Sequence, residues 1–252
     1  MILSLDRRDN TMTKKALFKK LTLITLFIPN IIYAISVDDF ITNEKCDQII
    51  DKIFFTICYD YNLKSAKVVS YTLQGDLVNE LNIEKRPSFK VERSISSEYR
   101  ASTKDYTNSG WDRGHLANDA GFDWSQESLD ATYSLANIIP QARKVNRYTW
   151  VKAERYERFV AVQRESVNVV NVVKYSSNPQ RIGSHGIAVP AGYYKVLYSD
   201  DQNYTKCLYY ENDNNITTSE DRLRNHEVDC NELLPPKEDF SFLIPILSII
   251  NN

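Results

Sequence analysis

The sequence predicts an α+β fold: a mostly antiparallel sheet flanked by helices. Runs rich in β-branched and aromatic residues occur in both halves of the chain. One long helical stretch lies between them, and the regular strand–helix alternation of a doubly wound sheet is missing.

The elements follow in order. Ile53–Tyr61 and Ala66–Leu73 read as strands from their β-branched and aromatic content, and Gly75-Asp76 supplies a turn after the second. Residues 84–110 are polar and serine-rich with Pro87, which predicts a loop. Gln126–Tyr133 has helical composition with Ser125 as its candidate N-cap. A longer helix is expected from about Asn146 to Glu165, with an apolar stripe of Trp150, Val151, Ala153, Tyr156, Phe159, Val160 and Val162. Val167–Tyr175 reads as a buried strand from its valines. Ile187–Val189, Tyr193–Tyr198 and Lys206–Tyr210 read as further strands between Gly, Pro and Asp turns. The tail after Leu234 is apolar and proline-rich, and it carries no functional signal.

At 252 residues, 42% hydrophobic and 25% charged, with 16 tyrosines and 10 phenylalanines, the chain has the composition of a globular protein. Disordered and fibrous classes are excluded. Lys14, Lys15, Lys19 and Lys20 precede an apolar run from Leu21 to Tyr33 that ends at Ala34, the order of a secretory signal. The run falls short of the roughly 20 residues that span a bilayer, and Pro29 and Asn30 interrupt it. The expectation is a leader over residues 1–34, with Met12 as an alternative start, and one domain over residues 35–252 exported to the periplasm or the medium. An uncleaved membrane anchor is the competing reading.

Residues 1–34 hold six of the 31 Lys and Arg and two of the 33 Asp and Glu, which leaves 25 against 31 and a net charge of −6. Binding to a polyanion would therefore need a local basic patch. Cys46, Cys58, Cys207 and Cys230 form an even set, which in an exported chain reads as two disulfides. Sequence order favours Cys46 with Cys58 and Cys207 with Cys230, against free buried thiols. No C-x-x-C occurs, and the three histidines are not spaced as a zinc site.

Two polar clusters stand out: Asp112-Arg113-Gly114-His115, and Asn137-Ile138-Ile139-Pro140-Gln141 followed by Asn146, Trp150 and Glu154. Asn146, Trp150, Glu154 and Arg158 recur every four residues, so on a helix they share one face. Eight residues separate Asn146 from Glu154, a rise of about 12 Å at ~1.5 Å per residue. Both cannot directly ligate one small ion with ~2.1 Å bonds, so one would act through water. His115 follows a glycine that would let the backbone turn and present the ring. With an ordinary pKa of about 6.5 its imidazole is mostly neutral at pH 7 and able to accept a proton from water. An anchor on Nδ1 would leave Nε2 free.

These residues resemble the DNA/RNA non-specific endonucleases of the ββα-metal (His-Me finger) class. The resemblance also takes in Asp105-Tyr106 and Ala188-Val189-Pro190 with Tyr194-Lys195-Val196, and runs from about Ile53 to Tyr210. It implies an embedded ββα-metal finger and hydrolysis of DNA and RNA phosphodiesters, gripped through the backbone without sequence reading. It further implies one Mg²⁺, replaceable by Mn²⁺. His115 would be the general base, Asn146 the direct metal ligand and Glu154 the holder of a metal-bound water. Arg113 would stabilise charge on the phosphate, Asn137 would polarise or position groups at the site, and Arg86 would contact phosphate. The chain departs from the family pattern in two places. Leu116-Ala117-Asn118-Asp119 replaces a small-Pro continuation. The stretch from Arg143 to Arg164 carries seven basic residues against Glu154 and Glu157, a candidate phosphate-facing patch. Asp112 is expected to brace its loop, Trp150 to pack in the core, and His185 and His226 to be structural or surface residues. Two rival functions remain: a catalytically silent nucleic-acid-binding protein of this fold, and a small-nucleotide phosphodiesterase.

Overall fold

The computed structural model describes residues 35–201 and 203–233, all within one compact unit. The leader of residues 1–34 and the tail after Leu233 lie outside the described residues. Among the described residues eleven strands are present: β1 (Gln48–Asp51), β2 (Thr56–Asp60), β3 (Ser65–Gln74), β4 (Asp112–His115), β5 (Ile138–Gln141), β6 (Ser166–Lys174), β7 (Arg181–Ile182), β8 (Ile187–Ala188), β9 (Gly192–Tyr198), β10 (Thr205–Glu211) and β11 (Glu227–Val228). The two α-helices among these residues are α1 (Gln126–Thr132) and α2 (Trp150–Arg164).

Seven strands form one antiparallel sheet in the order β1-β2-β3-β6-β9-β10-β11, while β4-β5 and β7-β8 are separate two-stranded ribbons. The sheet is covered on both faces, so its central strands read as continuous apolar runs. In β6, Val169 packs with Tyr71, Leu73, Tyr193 and Leu197 against Trp150, Ala153, Val160 and Ala161 of α2. The next residue, Val170, joins Val68, Val196 and Tyr198 on the opposite face, under Ile35, Phe40 and Ile41. That second face holds both disulfides, Cys46–Cys58 and Cys207–Cys230, in the pairing that sequence order favoured. Each removes loop entropy from the unfolded chain, worth about 3 kcal/mol for loops of this length.

Several expectations are corrected. The strand expected over Ile53–Tyr61 starts at Thr56 as β2, because Ile53 adopts φ 69° in the turn after β1, a strand that the sequence reading missed. Ser125 does cap α1, its hydroxyl accepting the Ser128 N–H at 3.0 Å. The long helix begins at Trp150, and the preceding Val145–Thr149 is a π-helical turn. Its apolar stripe is narrower than expected: Phe159 and Val162 are exposed, and the charged Glu157 takes the buried position instead. The β4–β5 ribbon, the strand pair of the finger that the resemblance implied, escaped the reading by composition. It pairs Asp112 with Gln141, Arg113 with Pro140, Gly114 with Ile139 and His115 with Ile138. Four-residue strands joined across a long insertion leave no periodicity to read, and Pro140 is tolerated because a ribbon strand is an edge.

Candidate active site

The ribbon explains Gly114. It sits within a strand and makes no turn, and a Cβ there would lie 2.1 Å from Oε1 of Gln141 on the paired strand. The glycine admits the Gln141 side chain, which is fully buried. One residue on, His115 projects between the rings of Tyr133 (4.9 Å) and Phe89 (5.5 Å). Among the described residues neither ring nitrogen has a hydrogen-bond partner, and Nε2 is buried. The expected Nδ1 anchor is thus absent, and aromatic walls hold the ring. Burial pushes its pKa down to about 4; the carboxylate of Asp119 works against this and the guanidinium of Arg86 with it. His115 is therefore neutral at pH 7.

Asn137 is fully buried behind it. Its Oδ1 accepts the Ala117 N–H at 2.8 Å, and its Nδ2 donates to the carbonyls of Ala117 and Thr132, both at 2.9 Å. The carboxamide is thus spent on backbone, chiefly that of Ala117, two residues beyond His115.

The π-helical turn carries Asn146 and Arg147 to Asp112, at the start of the ribbon. Asp112 accepts from Asn146 Nδ2 at 3.2 Å and from Arg147 Nε and Nη2 at 2.7 and 2.9 Å. Arg143 lies 3.8 Å away, and these hydrogen bonds and cations hold Asp112 below the usual carboxylate range despite its burial. The expected bracing role of Asp112 thus takes a definite form: it ties the His115 ribbon to the Asn146 turn. With Nδ2 engaged, the Asn146 Oδ1 has no partner among the described residues.

Glu154, about one turn into α2, has no hydrogen-bond partner among the described residues either. Burial raises its pKa to about 8; Lys195 and Arg158 oppose the rise, while Glu157 and Asp119 add to it. Asp119 thus acts on both His115 and Glu154. An unpartnered carboxamide oxygen and a carboxylate starved of positive charge are the donor types that suit a hard divalent cation. No group of three or more His, Cys, Asp or Glu side chains could hold a metal among the described residues. Any ion here would complete its shell with waters and substrate oxygens.

The arginines divide. Arg113 is half-buried between Phe89 (5.4 Å) and Tyr106 (5.6 Å), and its Nη2 donates to the Thr103 carbonyl at 2.9 Å. Its Nε is buried without a partner. Arg86 is pinned by Asp119 (3.2 Å), Asp123 (3.0 Å) and the Ile83 carbonyl (2.7 Å), beside His115. The seven basic residues from Arg143 to Arg164 do not form one patch. Lys152 pairs with Asp221 (2.9 Å), Arg158 donates to Asn118 (2.9 Å), and Arg164 lies over the Tyr204 ring (4.5 Å). Arg143 and Arg147 stay exposed beside Asn146. His185 and His226 are tied to Asp105 and Asp221, away from this cluster.

Sequence reasoning missed the buried support. Glu157 accepts from Tyr71 (2.8 Å), Asn118 and Lys195, and Lys195 lies 4.6 Å over the Trp150 ring. Asn171 links the sheet to the ribbon's end by donating to the Leu116 carbonyl at 2.9 Å. The one available signal was a lysine in the middle of an otherwise apolar β9.

A histidine-bearing two-stranded ribbon packed on a helix whose first turns carry a carboxamide and a carboxylate defines a ββα-metal finger, here set into an α+β domain. The chain belongs to the DNA/RNA non-specific endonuclease family, whose model matches residues 39–237. It is 31% identical over 157 residues to mitochondrial endonuclease G of Homo sapiens, covering 57% of this chain and 52% of that protein. It is 28% identical over 160 residues to the mitochondrial nuclease of Saccharomyces cerevisiae, covering 58% and 49%. The chain thus spans about half the length of the curated relatives it matches. A crystal structure of an EndoG/EndoGI complex shares the fold with a TM-score of 0.68 at 24% identity, over 73% of this chain and 81% of that one.

Proposed function

We propose that this protein is an exported endonuclease that hydrolyses phosphodiester bonds of DNA and RNA without sequence preference, using one divalent ion and His115 as general base. One observation carries the reading. A neutral imidazole whose buried Nε2 has no hydrogen-bond partner among the described residues shares the neighbourhood of Asp119 with Glu154, whose carboxyl has no hydrogen-bond partner there either. Family membership gives the reaction class its prior.

In this reading His115 takes a proton from the attacking water, and its low pKa keeps it deprotonated at working pH. Arg113, and more weakly Arg86, offset charge on the phosphate. Asn146 and Glu154 would hold the divalent ion, Asn146 directly and Glu154 through water, and Mg²⁺, or Mn²⁺ in its place, would supply positive charge to offset that on the departing oxygen. Asn137 positions His115 through Ala117. Because the phosphate backbone is common to every nucleotide, base contacts are unnecessary. Two disulfides support residence in an oxidising compartment, periplasmic or extracellular, although the relatives above are named as mitochondrial. Sequencing the N-terminus of protein recovered outside the cytoplasm tests the leader over residues 1–34.

Incubation of purified protein with closed circular plasmid and Mg²⁺ tests the activity. Nicking that EDTA abolishes is the expected result. Binding without nicking would favour the silent binder, and cleavage confined to mononucleotide esters the small-nucleotide phosphodiesterase.

A further inference from the structure

Across the Thr103–Tyr106 turn from Arg113 lies a concavity of about 590 Å³ with a different chemistry. Two tyrosines, Tyr61 and Tyr99, stack there with ring centroids 4.5 Å apart and planes 11° apart. Three cationic or protonatable side chains join them: Lys64, Arg181 and His185. Lys64 has no side-chain partner among the described residues. The Arg181 guanidinium meets only backbone carbonyls, those of Asn62 (2.9 Å) and Gly186 (2.8 Å). The one carboxylate in the lining, Asp47, is already used, accepting the Tyr61 N–H at 2.7 Å.

His185 is held in a fixed pose. Its Nδ1 lies 2.9 Å from Asp105, a carboxylate with no solvent exposure that also accepts the His185 N–H at 3.1 Å. The loop closes this tightly because Gly183, at φ 67°, passes where a Cβ would lie 2.2 Å from that of Asp105. Nε2 has no partner among the described residues. Asp105 also connects the concavity to the catalytic cluster: it sits in the same short turn as Thr103 and Tyr106, which hold Arg113.

Flat aromatic faces beside Lys64 and Arg181, which have no carboxylate partner among the described residues, are the chemistry of single-stranded nucleic-acid binding, where bases stack and phosphates pair. We propose that this concavity is an auxiliary subsite for a nucleotide of the substrate strand beyond the scissile phosphate, with the base on the Tyr61–Tyr99 stack and a phosphate on Lys64, Arg181 and His185. The inference rests on the nuclease reading for its ligand. Its binding test is independent of cleavage.

The test uses the full-length His115→Ala protein, so that oligonucleotides survive. Affinity for a single-stranded oligonucleotide and for a dinucleotide is measured over a salt series. Lys64→Gln and Arg181→Gln should each weaken the oligonucleotide by roughly tenfold and make the slope of log affinity against log salt shallower by about 0.7 per contact. Dinucleotide affinity should stay constant. Tyr99→Phe should bind as the parent does, since stacking needs the ring and not the hydroxyl. An unchanged salt slope in both Gln variants overturns the subsite. So does an equal loss for dinucleotide and oligonucleotide, which would mean a disturbed catalytic centre. In the otherwise wild-type enzyme, failure of plasmid nicking would sink the nuclease reading while leaving the measured affinities to decide the subsite.

Discussion

Two glutamates three residues apart on α2 have opposite situations. Glu157 is fully buried and satisfied, its carboxylate ringed by Tyr71, Asn118 and Lys195. Glu154, one turn before it, has no hydrogen-bond partner among the described residues, and burial raises its pKa to about 8. The helix supplies both with the same backbone, so the neighbours decide the role. A buried charge that is fully hydrogen-bonded belongs to the architecture, whereas one left short of positive charge marks where something else binds. The same contrast separates Asn137, whose carboxamide is spent on backbone, from Asn146, whose oxygen is free.

The comparison can be broken at either side. His115→Ala should lower plasmid cleavage by about 100- to 10,000-fold with the melting temperature preserved, and substantial residual activity would remove His115 as the base. Glu157→Ala should act on the fold, costing about 3–5 kcal/mol in denaturant unfolding because Lys195 is left buried and unpaired. If Glu157→Ala melts like wild type, the architectural reading of that pair is wrong. Asn146→Ala should raise the Mg²⁺ concentration for half-maximal cleavage by about 10- to 100-fold while stability stays unchanged; an unshifted titration would take Asn146 out of the metal site. Glu154→Gln should weaken metal-dependent activity yet leave stability equal or slightly improved, since burial already disfavours the ionised carboxyl and the neutral amide carries no such penalty.

The smallest effect expected is on pH dependence. His115 has a folded pKa of about 4 against about 6.5 in the unfolded chain, so between these values the unfolded state binds the extra proton. Its contribution to stability is therefore present above pH 6.5 and lost as pH falls toward 4. Unfolding measured across that window should slope less in His115→Phe than in wild type. An NMR titration of the imidazole in the metal-free protein should show protonation near 4; a midpoint near 6.5 would show that the aromatic walls do not desolvate it.

The sequence carried the strongly periodic and compositional features. Val167–Tyr175 could be read as a buried strand because both faces of β6 are covered. The disulfide pairing followed from chain order. The ribbon was legible only through the family resemblance and not from composition, because its four-residue strands gain meaning only from each other across the α1 insertion. The buried, architectural role of Glu157 was not legible, since Lys195 and Asn118 reach it from distant parts of the chain. Phe159 was assigned to the core for its apolar side chain, although the sheet meets the helix on the adjoining face. The motif named His115, Asn146 and Glu154; the cross-tie through Asp112 to Arg147 had to be seen.

Both cystine links lie on the sheet face that carries Ile35, Phe40 and Ile41, whereas α2 covers the opposite face. Thiol reductants would thus attack the outer cladding first and leave the cleaving apparatus standing on its own hydrophobic seat. A mild dithiothreitol treatment should make the protein easier to digest from its ends before it dulls the enzyme, so loss of durability and loss of turnover would come apart in time.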